Sequence, residues 1–201
     1  MGLFIRRDLG TTLDRLGLQV PTRNHLLVAA GLTVLLLGLN YGLDLLWQTM
    51  DPEGYALVER VTESLFGDLS SVAGALVLGL SAGISEEMLF RGAVQPRLGI
   101  LLTTVLFAVG HLQYGLTVAM LQVFVIGLAL GWVRRWANTT TSIAIHAAYN
   151  TLIVLLGLSA AQIGQALREG WRRLRRIRRP RIRRARPKIL APAPPQGPIF
   201  P

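Results

Sequence analysis

A chain of 201 residues without cysteine has room for one ordinary domain and excludes disulfide and thiolate chemistry, which leaves His, Asp and Glu as candidate catalysts and metal ligands. Its hydrophobic fraction of 51%, charged fraction of 16% and mean hydropathy of +0.45 place it with membrane proteins rather than soluble domains. The formal charge of +10 does not mark a nucleic-acid-binding surface, because twelve of the 21 Lys and Arg residues fall between Arg168 and Lys188.

Residues 1–25 read as an amphipathic N-terminal segment. Arg6, Arg7, Arg15 and Arg23 stand among Leu and Ile, with Leu13, Leu16 and Val20 at helical spacing until Pro21 stops the helix. Residues 26–47 make a first span, long enough for a bilayer core that needs about 20 residues. Tyr41 and Trp47 stand where interfacial aromatics sit, and Asp44 lies near that end within reach of water. The apolar run is long for a signal peptide and no small-x-small site follows it closely, so the segment reads as an uncleaved span. Residues 51–69 mix Glu53, Glu59, Arg60, Glu63 and Asp68 with the stripe Tyr55, Val58, Val61 and Leu65, the pattern of a surface helix.

A second span, residues 71–89, carries Gly74, Gly79 and Gly83, which permit close helix approach. Residues 92–99, with Pro96, read as a turn. A short third span, 100–112, contains His111 and is broken by Gly115. The fourth, 117–133, ends at Arg134 and Arg135 between Trp132 and Trp136, and the fifth, 141–158, carries His146 and Asn150. From residue 159 the chain turns basic and then Pro-rich, the composition of a disordered tail. Its arginines suit anionic lipid headgroups, at about 1 kcal/mol per basic residue near the surface, in preference to nucleic acid. The expected fold is all-α: a polytopic transmembrane bundle of about five spans (residues 26–158, with a core at 71–158) and a basic Pro-rich tail, 159–201. Five crossings would set the tail on the side opposite Arg97, Arg134 and Arg135, against the usual segregation of basic residues.

The chemistry concentrates at Ser85-Glu86-Glu87-Met88-Leu89-Phe90-Arg91-Gly92, at the end of an almost wholly apolar run. Ionisable groups at membrane depth are costly and mark functional sites by default. Helical spacing puts Glu87 and Arg91 on one face, able to pair, while Glu86 points about a hundred degrees away. A carboxyl in a low-dielectric site holds a proton more readily than in water, which suits Glu86 to general-base work. Phe107 and His111 share a second helix face and His146 and Asn150 a third, whereas His25 reads as a surface residue. Peptide hydrolysis needs an activated water, a proton shuttle and oxyanion stabilisation, and this set offers all three. Glu86, His111 and His146 also form a possible zinc set with an open fourth position, although no H-E-x-x-H helix is present.

Glu86-Glu87-x-x-x-Arg91, Phe107-x-x-x-His111 and His146-x-x-x-Asn150, with Phe90 and Gly92 around the arginine, resemble the three-motif signature of the CPBP family. That family groups CAAX prenyl endopeptidases with bacteriocin-processing and bacteriocin-immunity membrane proteins. The resemblance implies a helical intramembrane (metallo)endopeptidase acting on a peptide or protein substrate. Glu86 would activate water, Glu87 with Arg91 would hold the helix, His111 would position the water, and His146 with Asn150 would bind metal or the oxyanion. The alternative is a non-catalytic relative, an immunity or membrane-interaction protein that keeps the polar set for packing. The arginine-heavy composition points to a bacterial cytoplasmic membrane.

Overall fold

The computed structural model describes residues 8–178, nearly all of them helical. In order they form α1 (Leu9–Leu16), α2 (Arg23–Met50), α3 (Pro52–Phe66), α4 (Val72–Glu87), a π-helical segment (Met88–Val94), α5 (Gln95–Val109), α6 (Val118–Trp136) and α7 (Thr139–Arg178). Single 3-10 turns at Gly67–Leu69 and Leu112–Tyr114 complete the path. The extreme N-terminal arginines, Arg6 and Arg7, and the Pro-rich end lie outside the described residues. The chain divides into two units, Met1–Ala161 and Gln162–Pro201.

Local chemistry sets the helix ends. Asp8 accepts from the Thr11 N–H at 2.7 Å to start α1, and Gly17, in the left-handed region at φ 70°, stops it. Val20 therefore falls beyond the helix it was expected to extend, and is 91% exposed. His25, read from sequence as a plain surface residue, belongs to a capping box: Thr22 Oγ1 accepts from the His25 N–H, and the His25 ring accepts from the Thr22 N–H. Asp51 caps α3 through the Gly54 N–H at 2.9 Å, with Pro52 in the first turn, where its missing donor costs nothing. Trp47 is not an interfacial anchor; it is 5% exposed and packs edge-on against Tyr55 of α3.

Four helical stretches among the described residues are long and apolar enough to cross a membrane: Arg23–Met50, Val72–Val109, Val118–Trp136 and Thr139–Arg172. The expected third span is not independent. The turn expected at residues 92–99 is helical through Leu98, because Pro96 stands in the first turn of α5 where no intrahelical bond needs its nitrogen. The chain reverses only at Gly99, whose φ of 73° favours glycine. Glu86 precedes Gly99 by 13 positions and His111 follows it by 12. At about 1.5 Å of rise per residue, the two side chains can meet only if the second leg returns along the first. Residues 100–109 are that return leg, roughly 15 Å long and too short to cross a bilayer core of about 30 Å.

Glycines fix the other contacts. A Cβ on Gly83 would lie 2.8 Å from the Ala147 nitrogen, and one on Gly79 would strike Thr151, so α7 runs antiparallel to α4 at a separation that only glycine allows. Gly127 faces Thr104 and Phe107, and Gly131 faces Ile100, which sets α6 antiparallel to α5. His25 meets Trp136 at 5.1 Å while Gln122 bonds to Asn40 and Asp44, so α2 runs antiparallel to α6. Asp44, expected near water, is half-buried in that network. Leu16 and Gly17 accept from Thr139 at 2.6 and 2.9 Å, which docks α1 on the α6–α7 turn and gathers Arg15, Arg23, Arg97, Arg134 and Arg135 at one end of the bundle.

The largest fully buried side chains include Arg91, Glu87, Thr103, Thr104, Thr139, Thr141 and Ser142, while Leu27, Val34, Leu35, Val77 and Leu101 stand exposed. Such inverted polarity belongs to a bundle whose outer solvent is lipid. In the second unit, the described part continues α7 as a helix to Arg178. Residues 159–178 of the expected disordered tail are therefore helical, being rich in Ala, Leu, Gln and Arg, strong helix formers, with no proline before Pro180; its remainder lies outside the described residues.

Gly83→Val is expected to destabilise the bundle by about 1–3 kcal/mol, the usual cost of overpacking. The matched control is Gly157→Ala, where nothing lies within 4 Å of the added Cβ. That change should leave the thermal midpoint of the detergent-solubilised protein unchanged or slightly raised.

Candidate active site

Glu86 and Glu87 are neighbours at the end of α4 with opposite surroundings. Glu87 is fully buried, and its Oε1 accepts from Arg91 Nη1 at 2.8 Å and from His146 Nδ1 at 2.9 Å. Arg91 is equally buried; it donates from Nη2 to the Gly127 carbonyl at 3.0 Å, and its Cζ lies 4.4 Å from the centre of the Phe107 ring. The pairing forms across the junction of α4 with the π-helical segment, a local widening found often at functional sites. One oxygen of Glu87 thereby ties α4, the π segment and α7 together, and Arg91 adds α6.

The Glu86 side chain is 29% exposed, and its buried Oε2 has no hydrogen-bond partner. That atom lies 3.9 Å from His111 Nε2 and 4.0 Å from His146 Nε2. Each imidazole is oriented by its other nitrogen. His111 Nδ1 lies 2.9 Å from the Phe107 carbonyl, which only accepts, so Nδ1 carries the proton. His146 Nδ1 faces a Glu87 oxygen already accepting from Arg91, so it too donates. In its neutral form each ring with the proton on Nδ1 turns an unprotonated Nε2 toward Glu86. Phe107 supports this arrangement, its ring centre 4.8 Å from that of His111 and 6.0 Å from that of His146.

Of the six residues singled out by sequence, Glu86, Glu87, Arg91, His111 and His146 come together; Asn150 lies one turn beyond His146 on the same helix, half-buried. Three partners were not anticipated. The Gly127 carbonyl that receives Arg91 has no side-chain signal. Gln95 donates to the Gly131 carbonyl at 2.8 Å from within an expected turn. Tyr114 stacks beside His111 with ring centres 6.4 Å apart, and its place three residues after His111 was the available clue. Burial raises its phenol above the ordinary range and the Glu86 charge pushes the same way, so it remains a hydroxyl donor at neutral pH.

The donor chemistry of Glu86 Oε2 and two bare Nε2 atoms fits a divalent cation. Their spacing is wider than a bound ion sets: tetrahedral ligands at about 2.0–2.1 Å stand roughly 3.3 Å from each other, whereas Glu86 Oε2 lies 3.9 and 4.0 Å from the two Nε2 atoms, and no group of three His, Asp or Glu side chains among the described residues is placed to hold a metal ion.

Residues 68–152 match the family model described as type II CAAX prenyl endopeptidase Rce1-like. The match bears out the CPBP resemblance and covers all three motifs, and it is to a family of membrane proteases. No curated protein and no solved structure matches the chain.

Removing Glu87 and removing Glu86 should have different consequences for folding. Glu87→Ala leaves Arg91 buried without a counter-charge, which typically costs about 3–5 kcal/mol. Glu86→Ala removes no hydrogen bond and should cost under about 1 kcal/mol. Thermal midpoints of the two purified variants check this, and equal losses would assign Glu86 a structural role.

Proposed function

We propose that this protein is an intramembrane endopeptidase in which Glu86 activates a water molecule for attack on a peptide bond. The observation that supports this reading is the convergence of an unpartnered carboxylate oxygen and two imidazole Nε2 atoms, 3.9 and 4.0 Å from it. Three acceptors around such a gap call for a donor, and a water fits: it gives one hydrogen to Glu86 and the other to an imidazole, keeping a lone pair for the substrate carbonyl. Attack forms the new C–O bond, passes a water proton to Glu86 and leaves negative charge on the carbonyl oxygen. Bare Nε2 atoms cannot donate to that oxyanion, so the NH₂ of Asn150 is the motif's candidate donor. The C–N bond then breaks as Glu86 returns the proton to the leaving nitrogen. Glu87 and Arg91 act as positioning residues by fixing the tautomer and orientation of His146.

Glu86, His111 and His146 would be the residues to hold a divalent cation, zinc by its liking for imidazole and carboxylate, and a bound ion would acidify water and polarise the carbonyl. The substrate class is a peptide or protein that reaches the site from the membrane, and the arginine-rich composition supports a bacterial cytoplasmic membrane as the location. The basic tail would lie on anionic headgroups.

Termini of membrane proteins in cells carrying wild type and Glu86→Gln, at matched expression, test the reading. New termini present with wild type and absent with the variant are expected, since loss of a general base costs roughly 10²–10⁴-fold in rate. Unchanged termini would move the assignment to the non-catalytic, immunity-type alternative. Elemental analysis of the purified protein tests the metal-assisted form: close to one zinc per chain, lost in both His111→Ala and His146→Ala, would assign Glu86, His111 and His146 as its ligands, and no bound metal would leave the water held by these residues alone.

A further inference from the structure

A cavity of about 250 Å³ opens at the arginine-rich end of the bundle, walled by Arg91, Gln95, Arg134 and Arg135 and by the Gly99 reversal. Peptide hydrolysis at Glu86 makes no use of it. No acidic side chain lines the cavity, and among the described residues neither Arg134 nor Arg135 has a carboxylate within ion-pair distance. Arg134 reaches only the Arg91 carbonyl, at 3.4 Å, and Arg135 is exposed.

Two of the residues that line the cavity carry an orphaned polar atom. Arg91 uses Nη1 on Glu87 and Nη2 on Gly127, but its buried Nε has no partner. Gln95, 8% exposed, spends its NH₂ on Gly131 and leaves a buried Oε1 without a donor. Native interiors seldom leave such atoms unpaired, and each calls for an explanation. A donor with two flanking guanidinium groups suits a phosphate or other oxyanion. The orphaned acceptor beside it suits a hydroxyl. The surroundings identify the source: Leu98, Leu101 and Trp136, immediate chain neighbours of the lining residues, are 45%, 65% and 55% exposed. Apolar and tryptophan side chains beside a basic pocket are the signature of the membrane interface.

We infer that this cavity binds the headgroup of an anionic phospholipid. Its phosphate is held by Arg134, Arg135 and Arg91 Nε, a headgroup hydroxyl meets Gln95 Oε1, and the acyl chains run down the outer leucines. None of its lining residues belongs to the basic tail. Because Arg91 also holds Glu87, an occupied cavity immobilises the guanidinium that orients His146. Only that consequence rests on the protease reading; the binding does not.

The test uses full-length protein in phosphatidylcholine nanodiscs doped with phosphatidylglycerol, at raised salt to weaken the tail's attraction to the surface. Native mass spectrometry counts the lipids retained. One saturable phosphatidylglycerol per chain is expected for wild type, bound about tenfold more weakly by Arg135→Gln, as for loss of one charge-assisted hydrogen bond. It should be lost in Arg134→Gln/Arg135→Gln. Should the double variant fail to fold, Arg135→Gln decides alone, since that side chain is exposed and bonds to nothing in the described structure. Equal retention by wild type and Arg135→Gln would overturn the inference and leave the tail or annular lipid as the source. If inorganic phosphate displaces the lipid at millimolar concentration, the site takes a soluble anion instead. Phosphatidic acid binding as tightly as phosphatidylglycerol would overturn the hydroxyl contact to Gln95. Loss of the lipid with Glu86→Gln termini unaffected, or the reverse, separates failure of this site from failure of the protease reading.

Discussion

A single oxygen, Glu87 Oε1, carries more of this structure than any other atom. It accepts from Arg91 at 2.8 Å and from His146 at 2.9 Å, with all three side chains almost completely removed from solvent. In water such contacts would be worth little. Inside a bundle surrounded by lipid, the alternative to each is an uncompensated charge or an unsatisfied donor, so the arrangement is strongly enforced. The enforcement spreads outward. Arg91 must lie under Gly127, which brings in α6; His146 must face α4, which sets the rotation of α7; and the tautomer forced on His146 decides what its other nitrogen offers to Glu86.

The packing around this atom follows from the solvent. Lipid tails give apolar side chains no reason to prefer the interior, so helix association relies on close backbone approach and on polar contacts. Gly79 and Gly83 on α4, and Gly127 and Gly131 on α6, stand where a Cβ would collide with the neighbouring helix. Thr139 bonds to Leu16 and Ser142 to Leu130 across helix boundaries. The interior is thus specified by small and polar residues, and the aliphatic majority of the composition faces out.

The site motifs were legible because each joins residues four apart: Glu87 and Arg91 pair across the junction of α4 with the π segment, His111 bonds back to the Phe107 carbonyl just past the end of α5, and His146 and Asn150 share α7. The path itself was less legible. Pro96 and Gly92 look like a turn, yet proline in the first turn of α5 is compatible with a continuing helix, and the reversal waits for Gly99, which looks like any other glycine until its φ of 73° is known. The count of about five spans followed from that error, since residues 100–109 are apolar but only return alongside the preceding helix. Trp47 and Asp44 were assigned to an interface by position along the first span. Their actual partners, Tyr55 and Gln122, lie on other helices and leave no trace in local periodicity.

The adjacency of Glu86 and Glu87 shows how the helix separates two incompatible requirements. A carboxylate that organises buried helices must be dry and fully bonded, and one that handles a reacting water must be reachable and incompletely bonded. A rotation of about a hundred degrees between successive residues satisfies both without any loop or second domain. Glu87 is turned into the packing and is fully buried; Glu86 is turned toward the two imidazoles and keeps 29% of its side-chain surface. His146 joins the two, with Nδ1 on the structural carboxylate and Nε2 facing the accessible one. A change in how Arg91 is held therefore reaches the surroundings of Glu86 through one oxygen and one imidazole, which in the proposed mechanism joins packing to chemistry.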